Sequence, residues 1–183
     1  MFRQSLFFLV LSVILATTYA GYTCPKPCYG NMCCSIPSDN QYYLTDFCGS
    51  QSACGPIPSC SGGKYFTADA QRFGCSKYLN VCRNSNKKCI KAQVIDSGPA
   101  MWVEQNAGRA IIDGSPQLCK DLFGASSCGW SDKFSITATI ASAKDTRPLG
   151  PFNVTDAEFA QMLVDHKVEL ESCMASNECA AQE

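Results

Sequence analysis

The sequence around Asp96 is suited to a carboxyl group that donates a proton. It follows an alternating apolar segment at residues 88–95 and begins the sequence Asp96-Ser97-Gly98-Pro99, which is typical of a turn. A carboxyl group at the end of a buried strand is partly desolvated, and desolvation favours its protonated form. Such a group can protonate the leaving oxygen when a glycosidic bond is cleaved. The alternative interpretation is that Asp96 only accepts hydrogen bonds from the amides of the turn.

Glycoside hydrolysis usually requires a second carboxylate, and the sequence offers three candidates. Asp46 lies in an aromatic segment at residues 41–47 that favours a strand. Its side chain reaches a groove in only one register, because a shift of one residue turns it to the other face of the sheet. Glu104 and Asp69 are weaker candidates for the substrate site.

Aromatic residues give an independent indication of a carbohydrate ligand. Flat rings can bind the faces of sugars, although most aromatic side chains serve as core. Trp102 is the strongest candidate because it follows Pro99 by three residues, in the loop expected beside Asp96. Further substrate contacts are predicted for Tyr43 and Tyr65, and Tyr42 and Trp130 also lie near predicted loops or strand ends.

The composition excludes several other kinds of protein. The 183 residues include 15 Lys and Arg against 16 Asp and Glu, without a basic cluster, which argues against a nucleic-acid-binding protein. The single histidine, His166, lies on the apolar stripe of a predicted helix, where it cannot serve a Ser or Cys nucleophile as base. The sequence predicts no metal site, neither zinc nor haem, and no cofactor.

The amino terminus and the cysteines indicate a secreted protein. Residues 1–20 contain Arg3, an apolar stretch and small residues before the expected cleavage point, as a signal peptide does. The apolar stretch is shorter than the ~20 residues that span a bilayer, so no membrane association is expected after cleavage. The mature chain then enters an oxidising compartment, outside the cell or in the endolysosomal lumen.

All fourteen cysteines are expected to form disulfides in that compartment, because their number is even and they follow a signal peptide. Their connectivity cannot be read from the sequence. They are Cys24, Cys28, Cys33, Cys34, Cys48, Cys54, Cys60, Cys75, Cys82, Cys89, Cys119, Cys128, Cys173 and Cys179.

Alternating apolar residues predict a mainly β domain at residues 41–140. Strands are expected at residues 41–47, 77–83, 88–95 and 134–140. A further buried strand at residues 110–113 ends in Asp113, which is expected to bond backbone amides. Ser115, Pro116 and Gly124 mark the two ends of a short internal helix.

The segments outside this domain differ in character. Residues 21–40 form a Cys-rich segment, and residues 141–151 contain two prolines and a glycine and predict a linker. Residues 152–183 predict a C-terminal helix that starts at a capping box of Thr155 and Glu158. Asn153 begins an Asn-Val-Thr sequon and is a predicted glycosylation site.

The order of these elements resembles the double-psi β-barrel proteins. Asp96-Ser97-Gly98-Pro99 is similar to the Asp-x-Gly-Pro turn of rare lipoprotein A. The resemblance implies that Gly98 and Pro99 have structural roles in this turn. Residues 112–115 resemble its Ile-Asp-Leu-Ser turn, with Gly in place of Leu after Asp113. Residues 67–83 resemble its Thr-Ala-Ala-His region, but Asp69 or Ala70 replaces the histidine that assists the carboxylate in the bacterial enzymes.

The resemblance covers residues 41–140 and extends to expansins, barwin-like proteins and glycoside hydrolase family 45. It implies a disulfide-rich, six-stranded double-psi β-barrel with a short internal helix, to which the helical pattern of residues 152–183 adds a C-terminal helix. It also implies a monomeric secreted protein whose partner is a polysaccharide or peptidoglycan.

Two functional hypotheses follow from this resemblance. In the first, the protein cleaves peptidoglycan or a β-1,4-glucan with Asp96 as general acid and Asp46 as base, or acts as a lytic transglycosylase, for which one acid suffices. In the second, it is a non-catalytic wall-binding, defence or protease-inhibitor protein of the expansin or barwin kind. The missing histidine favours the second hypothesis, whereas the retained turn and Trp102 favour the first.

Overall fold

The computed structural model describes residues 22–176 except for residues 29, 50, 57, 59, 61 and 62. The predicted signal peptide at residues 1–20 and the last cysteine, Cys179, lie outside the described residues. Within the part of the chain that is described, no helix is long and apolar enough to cross a membrane.

Strands and short helices alternate until a long helix closes the chain. The strands are β1 (Pro27–Cys28), β2 (Met32–Cys33), β3 (Gln41–Asp46), β4 (Phe66–Ala68), β5 (Tyr78–Arg83), β6 (Lys88–Asp96), β7 (Ile111–Gly114), β8 (Ser135–Ile140) and β9 (Gly150–Asn153). The helices are α1 (Ala70–Phe73), α2 (Met101–Ala107), α3 (Pro116–Phe123) and α4 (Asp156–Ala175).

Six of these strands close into a barrel. Their order is β4, β7, β3, β8, β5 and β6, and β6 pairs again with β4. The pairs β3–β7 and β4–β6 are parallel, and the other barrel pairs are antiparallel. Strand β9 adds to β6, and β1 and β2 form a separate hairpin. The predicted six-stranded, mainly β barrel is therefore confirmed, and its mixed pairing is compatible with the double-psi topology.

Apolar residues that alternate along the strands fill the barrel. Leu44 lies opposite Ile112, and Val81 lies between Ala138 and Ile90 on the neighbouring strands. All five are buried, and burial of each large side chain contributes about 1.5–3 kcal/mol. This packing fixes the strand registers, and the registers decide which side chains reach the outer face of the barrel.

Disulfides tie the irregular segments to the barrel. Cys54–Cys75 anchors the loop before β4 to the end of α1, and Cys119–Cys128 joins α3 to the loop that follows it. Cys173 of α4 is also disulfide-bonded. The other bridges between described cysteines are Cys24–Cys33, Cys28–Cys34, Cys48–Cys60 and Cys82–Cys89. The predicted oxidation of the cysteines is therefore confirmed for those that the structure describes.

The strands predicted from alternation are confirmed as β3, β5, β6, β7 and β8, with ends that differ by at most one residue. Helix α3 is confirmed, but the Ser115 hydroxyl before it donates to the Lys64 carbonyl oxygen at 2.6 Å instead of capping the helix. The segment after Pro99, predicted as a loop, contains helix α2, which has no capping side chain to reveal it. The end of the predicted linker joins the sheet as β9.

Helix α4 packs against the barrel through a few buried side chains. Thr155 and Glu158 form the predicted capping box at its start. Met162 lies against the Cys82–Cys89 bridge, and the His166 ring is buried beside Phe73. The Ile140 amide donates to Nδ1 of His166 at 3.0 Å, so Nε2 carries the proton and donates to Asn40 Oδ1 at 3.1 Å.

His166 should make the stability of the fold depend on pH. Burial lowers the pKa of His166 from 6.5 to about 4, so the unfolded chain binds a proton at a pH where the folded chain does not. The stabilisation is complete above pH 6.5 and is lost as the pH falls towards 4, which amounts to roughly 3 kcal/mol. Urea unfolding of the native protein and of His166→Gln, compared at pH 7 and pH 4, measures this loss. Equal pH dependence in the two proteins would contradict the prediction.

Candidate active site

A row of paired residues crosses four neighbouring strands on the outer face of the barrel. Asp113 of β7 pairs with Thr45 of β3 on one side and with Ala68 of β4 on the other. Ala68 pairs in turn with Asp96 of β6. Residues paired in regular register point to the same face of a sheet, which holds for Thr45, Asp113 and Ala68. Between Thr67 and Ala68 the register with β6 shifts and skips Ile95, and the negative charge of Asp96 acts on Asp113 from the neighbouring strand. The barrel therefore places two carboxyl groups on either side of the small Ala68 side chain.

Asp113 is the more unusual of the two carboxyl groups. It is half-buried and accepts a hydrogen bond from the Thr45 hydroxyl. Burial raises the pKa of Asp113 to about 6, the Thr45 hydrogen bond opposes this rise, and the negative charges of Glu104, Asp96 and Asp46 add to it. Asp113 can therefore hold a proton in mildly acidic solution, as a general acid must.

Asp96 lies in a different environment at the end of β6. Its Oδ1 atom accepts hydrogen bonds from the Ala53 amide at 2.9 Å, the Ser97 amide at 2.8 Å and the Ser97 hydroxyl at 3.4 Å. Asp96 therefore accepts hydrogen bonds from backbone amides of the turn, as the structural alternative for this residue predicted. These hydrogen bonds hold the Oδ1 side of the Asp96 carboxyl group against the turn.

The spacing of these two carboxyl groups bears on the chemistry available to them. Asp113 and Asp96 are separated by one strand, which corresponds to roughly 10 Å between their Cα atoms. The pair is therefore suited to act from two sides of a bound molecule, with space for a water molecule beside one of them.

Asp69 and Glu104 lie inside the protein and not at its surface. Glu104 binds the Arg72 guanidinium through both oxygens, at 2.8 and 3.0 Å, and Asp69 Oδ1 lies 3.0 Å from Arg72 Nη1. All three side chains are completely buried. Neither carboxylate is accessible to a substrate in this structure, because the pairing of both with Arg72 holds them inside.

Arg72 and Glu104 also fix the backbone next to Asp113. Arg72 donates to the carbonyl oxygens of Ser35 at 2.8 Å and Ile111 at 3.4 Å, and the Ile111 amide donates to Glu104 at 2.8 Å. Ile111 begins the strand that carries Asp113. The buried ions thus join α1, α2 and β7 in one rigid unit beside the carboxyl pair.

The turn after Asp96 packs against Gln71. Gly98 has a φ of +107°, and a Cβ atom built on it would lie 2.5 Å from Oε1 of Gln71. Gly98 and the buried Pro99 therefore shape a turn in which a side chain at position 98 has no room. The Gln71 amide lies beside this turn, near the region where Asp69 or Ala70 was expected to replace a family histidine.

Asp46 is half-buried at the end of β3 and faces away from Asp113. Its neighbour Thr45 points to Asp113, and successive side chains of a strand point to opposite faces. Asp46 Oδ1 accepts hydrogen bonds from the Ser127 hydroxyl at 2.9 Å and from the Cys128 amide. The structure therefore brings together Asp96 and Asp113, and it places Asp46 in contact with the loop after α3.

The predicted aromatic contacts are distributed around the barrel. The Trp102 side chain is 57% exposed in the first turn of α2. Tyr43 is half-buried with its ring 6.0 Å from the Arg109 guanidinium, and Tyr65 donates to Asp121 at 2.8 Å. Burial and the bond to Asp121 raise the pKa of Tyr65 to about 12. Asn153 is exposed in β9, and its glycosylation stays a prediction.

Asp113 was predicted only as a structural residue that bonds backbone amides. Its hydrogen-bond donor is a side chain, the Thr45 hydroxyl. Its position opposite Ala68 depends on the pairing of β4 between β6 and β7, and β4 has only three residues. The available signal was the polar residue at the end of the apolar Ile-Ile segment, on the opposite face of the strand from the buried Ile112.

Comparison with known proteins identifies relatives along almost the whole chain. A family described as AlyA, Lysozyme A, matches residues 32–177. Lysozyme A and lysozyme B of Dictyostelium discoideum are each 64% identical over 177 residues, which cover 97% of this chain and 96% of each relative. Lysozyme D of the same organism is 35% identical and covers 93% of this chain and 94% of its own. These matches include Asp96, Asp113 and helix α4.

Replacing Arg72 by Met should destabilise the fold strongly. The substitution leaves two buried carboxylates without their cation, which typically costs about 3–5 kcal/mol. Arg109→Met is the matched control, because Arg109 pairs with Asp39 at 3.1 Å on the surface, and surface pairs contribute at most about 1 kcal/mol. Urea unfolding with intact disulfides measures both effects. Equal losses in the two variants would contradict a structural role for the buried ions.

Proposed function

Because this chain belongs to the lysozyme A family, we propose that it hydrolyses the glycan strands of peptidoglycan, with Asp113 as general acid and Asp96 as general base. The relatives are named lysozymes, which implies a function directed at the bacterial cell wall. The observation that carries the assignment of residues is the placement of Asp113 and Asp96 on one outer face, separated by Ala68.

The acid step is assigned to Asp113. Cleavage breaks the bond between the anomeric carbon and the bridging oxygen, and that oxygen must receive a proton as it leaves. Asp113 is the member of the pair whose pKa is raised, by burial above all, to about 6. The proposal therefore moves the acid from Asp96, where the resemblance suggested it, to Asp113.

The base step is assigned to Asp96. A water molecule attacks the anomeric carbon from the side opposite the leaving oxygen, and Asp96 takes the proton that the water loses. The protons balance, because Asp113 gives one and Asp96 gains one. The three hydrogen bonds to Oδ1 hold the Asp96 carboxylate in a fixed orientation for this step.

Two further features support a glycan substrate. Asp96 and Asp113 are both partly exposed on either side of the small, buried Ala68, so a bound sugar can reach both carboxyl groups. Trp102 is exposed six residues after Asp96 and is proposed to bind a sugar next to the cleaved bond. The oxidised cysteines favour a secreted or lumenal location, and an acid that titrates near 6 favours a mildly acidic one.

Asp113→Asn should abolish activity without damaging the fold. We expect kcat on purified peptidoglycan to fall by about 10²–10⁴-fold, the usual contribution of a general acid. In the native protein and in a weakly active Asp96→Asn variant, kcat should fall as the pH rises above about 6, because Asp113 loses its proton there. Release of soluble fragments, measured from pH 4 to pH 8, tests both statements.

The control is Asp156→Asn, which should remain fully active because the Asp156 side chain is 89% exposed on α4.

Asp113→Asn should also be more stable than the native protein above pH 6, by roughly 1–3 kcal/mol, because it removes a charge from a partly buried position. An active Asp113→Asn variant would contradict the assignment. A native protein that binds peptidoglycan and releases nothing would favour the non-catalytic alternative.

The product should reveal the mechanism. Retaining glycosidases need carboxyl groups about 5–5.5 Å apart, whereas inverting enzymes have a wider gap of about 6.5–9.5 Å. With the pair separated by a strand, we expect inversion at the anomeric carbon and an ordinary reducing end. Proton NMR of the first products, before the anomers equilibrate, distinguishes inversion from retention. Anhydro-sugar products would indicate a lytic transglycosylase and would contradict Asp96 as a base for water.

A further inference from the structure

Trp130 is held in an exposed position by a tight turn. Its side chain is 42% exposed in the segment between α3 and β8. The Gly129 amide donates to Asp132 Oδ2 at 2.7 Å, and the Asp132 amide donates to the Gly129 carbonyl oxygen at 3.0 Å. These two bonds close the turn of residues 129–132, which we call the Trp130 turn. The indole is therefore presented by backbone whose conformation is fixed.

Asp46 attaches the Trp130 turn to the barrel. Its Oδ1 accepts from the Cys128 amide and from the Ser127 hydroxyl, and its own amide donates to the Cys128 carbonyl oxygen at 3.0 Å. The Cys119–Cys128 disulfide adds a covalent link from the same residue to helix α3. Cys128 is thus held from two sides, two residues before Trp130.

The attachment point lies next to the carboxyl pair. Asp46 pairs with Gly114, the residue after Asp113, and Thr45 before it donates to Asp113. The neighbouring strands β6, β4, β7 and β3 carry Asp96, Ala68, Asp113 and Asp46 in that order. Residues 128–134 run beside β3, since the Asp46 amide donates to Cys128 and the Leu44 amide donates to Phe134. The Trp130 turn therefore continues the line of the two aspartates, on the side away from Asp96.

A large apolar ring exposed on a rigid turn is suited to bind a ligand. Burial of an indole gains free energy, and a fixed ring loses little conformational entropy when a ligand covers it. A glycan strand bound across Asp96 and Asp113 extends beyond them, and its sugar rings offer apolar faces to an aromatic side chain. The position of Trp130 at the end of the carboxyl line matches such an occupant.

We infer that Asp46 is a positioning residue, which holds the Trp130 turn so that the indole binds a sugar ring of the glycan beyond the cleaved bond. The inference deepens the proposed hydrolysis and rests on it for the identity of the strand. It replaces the predicted role of Asp46 as a base, because the hydrogen bonds on its Oδ1 serve the turn and its side chain faces away from Asp113.

The test compares five variants on glycan fragments of two and four disaccharide repeats prepared from peptidoglycan. Trp130→Ala should raise KM on the longer fragment roughly tenfold, the effect of losing one aromatic contact, and should leave kcat within about threefold. Asp46→Ala should do the same by releasing the turn. Asp46→Asn should retain the native KM, since the amide oxygen still accepts both hydrogen bonds. Val164→Ala, which removes apolar surface that is 58% exposed on α4, is the control.

The outcomes separate this inference from the proposed hydrolysis. If kcat of Asp46→Asn falls as far as kcat of Asp113→Asn, Asp46 is catalytic and the inference is overturned. An unchanged KM in Trp130→Ala also overturns it. If the native protein cleaves nothing, hydrolysis fails, and sedimentation with insoluble peptidoglycan still tests the turn. Weaker sedimentation of Trp130→Ala and Asp46→Ala, with native sedimentation of Asp46→Asn, supports the inference. Equal sedimentation of all variants overturns it. Trp130→Phe, which keeps a ring, should lie between the native protein and Trp130→Ala.

Discussion

The Arg72 guanidinium, buried between Asp69 and Glu104, is the interaction on which the arrangement of the site depends. A buried guanidinium is tolerable only when it is paired and hydrogen-bonded, so the segments that supply its partners have little freedom. Those segments are α1, α2 and the start of β7, together with the Ser35 carbonyl before β3. The exposed Trp102 lies in the same short helix as Glu104, so the buried ion pair also fixes this surface aromatic.

The same ions influence the chemistry at the surface. Glu104 pairs with Arg72, and its negative charge is one of those that raise the pKa of Asp113. The barrel interior is apolar, whereas Asp96 and Asp113 lie on its outer face among other acidic groups. Like charges placed close together reduce the stability of the folded protein at neutral pH. The acidic surroundings of Asp113 therefore cost stability, which is the exchange expected if Asp113 has the proposed catalytic role.

The sequence predicts the barrel well because alternation along β3, β5, β6 and β8 is strong, Pro116 and Gly124 mark the two ends of α3, and a capping box marks the start of α4. It does not predict β4, because three residues are too few to show a period, and it does not predict α2, because no side chain caps the start of that helix. The site depends on these two elements. Asp96 was found from its turn, but the position of Asp113 requires the pairing through Ala68, and the burial of Glu104 requires a partner 32 residues away. Long-range pairing of this kind leaves no local pattern.

The most direct test of the account is the titration of Asp113 itself. Carbon-13 NMR of the aspartate carboxyl groups, with Asp113→Asn to identify the resonance, reports its pKa in the folded protein without depending on a substrate. The account predicts that the Asp113 carboxyl titrates near 6, because burial and the negative charges of Glu104, Asp96 and Asp46 raise its pKa. Titration near 4, the ordinary value for an aspartate, would contradict the assignment of Asp113 as the proton donor.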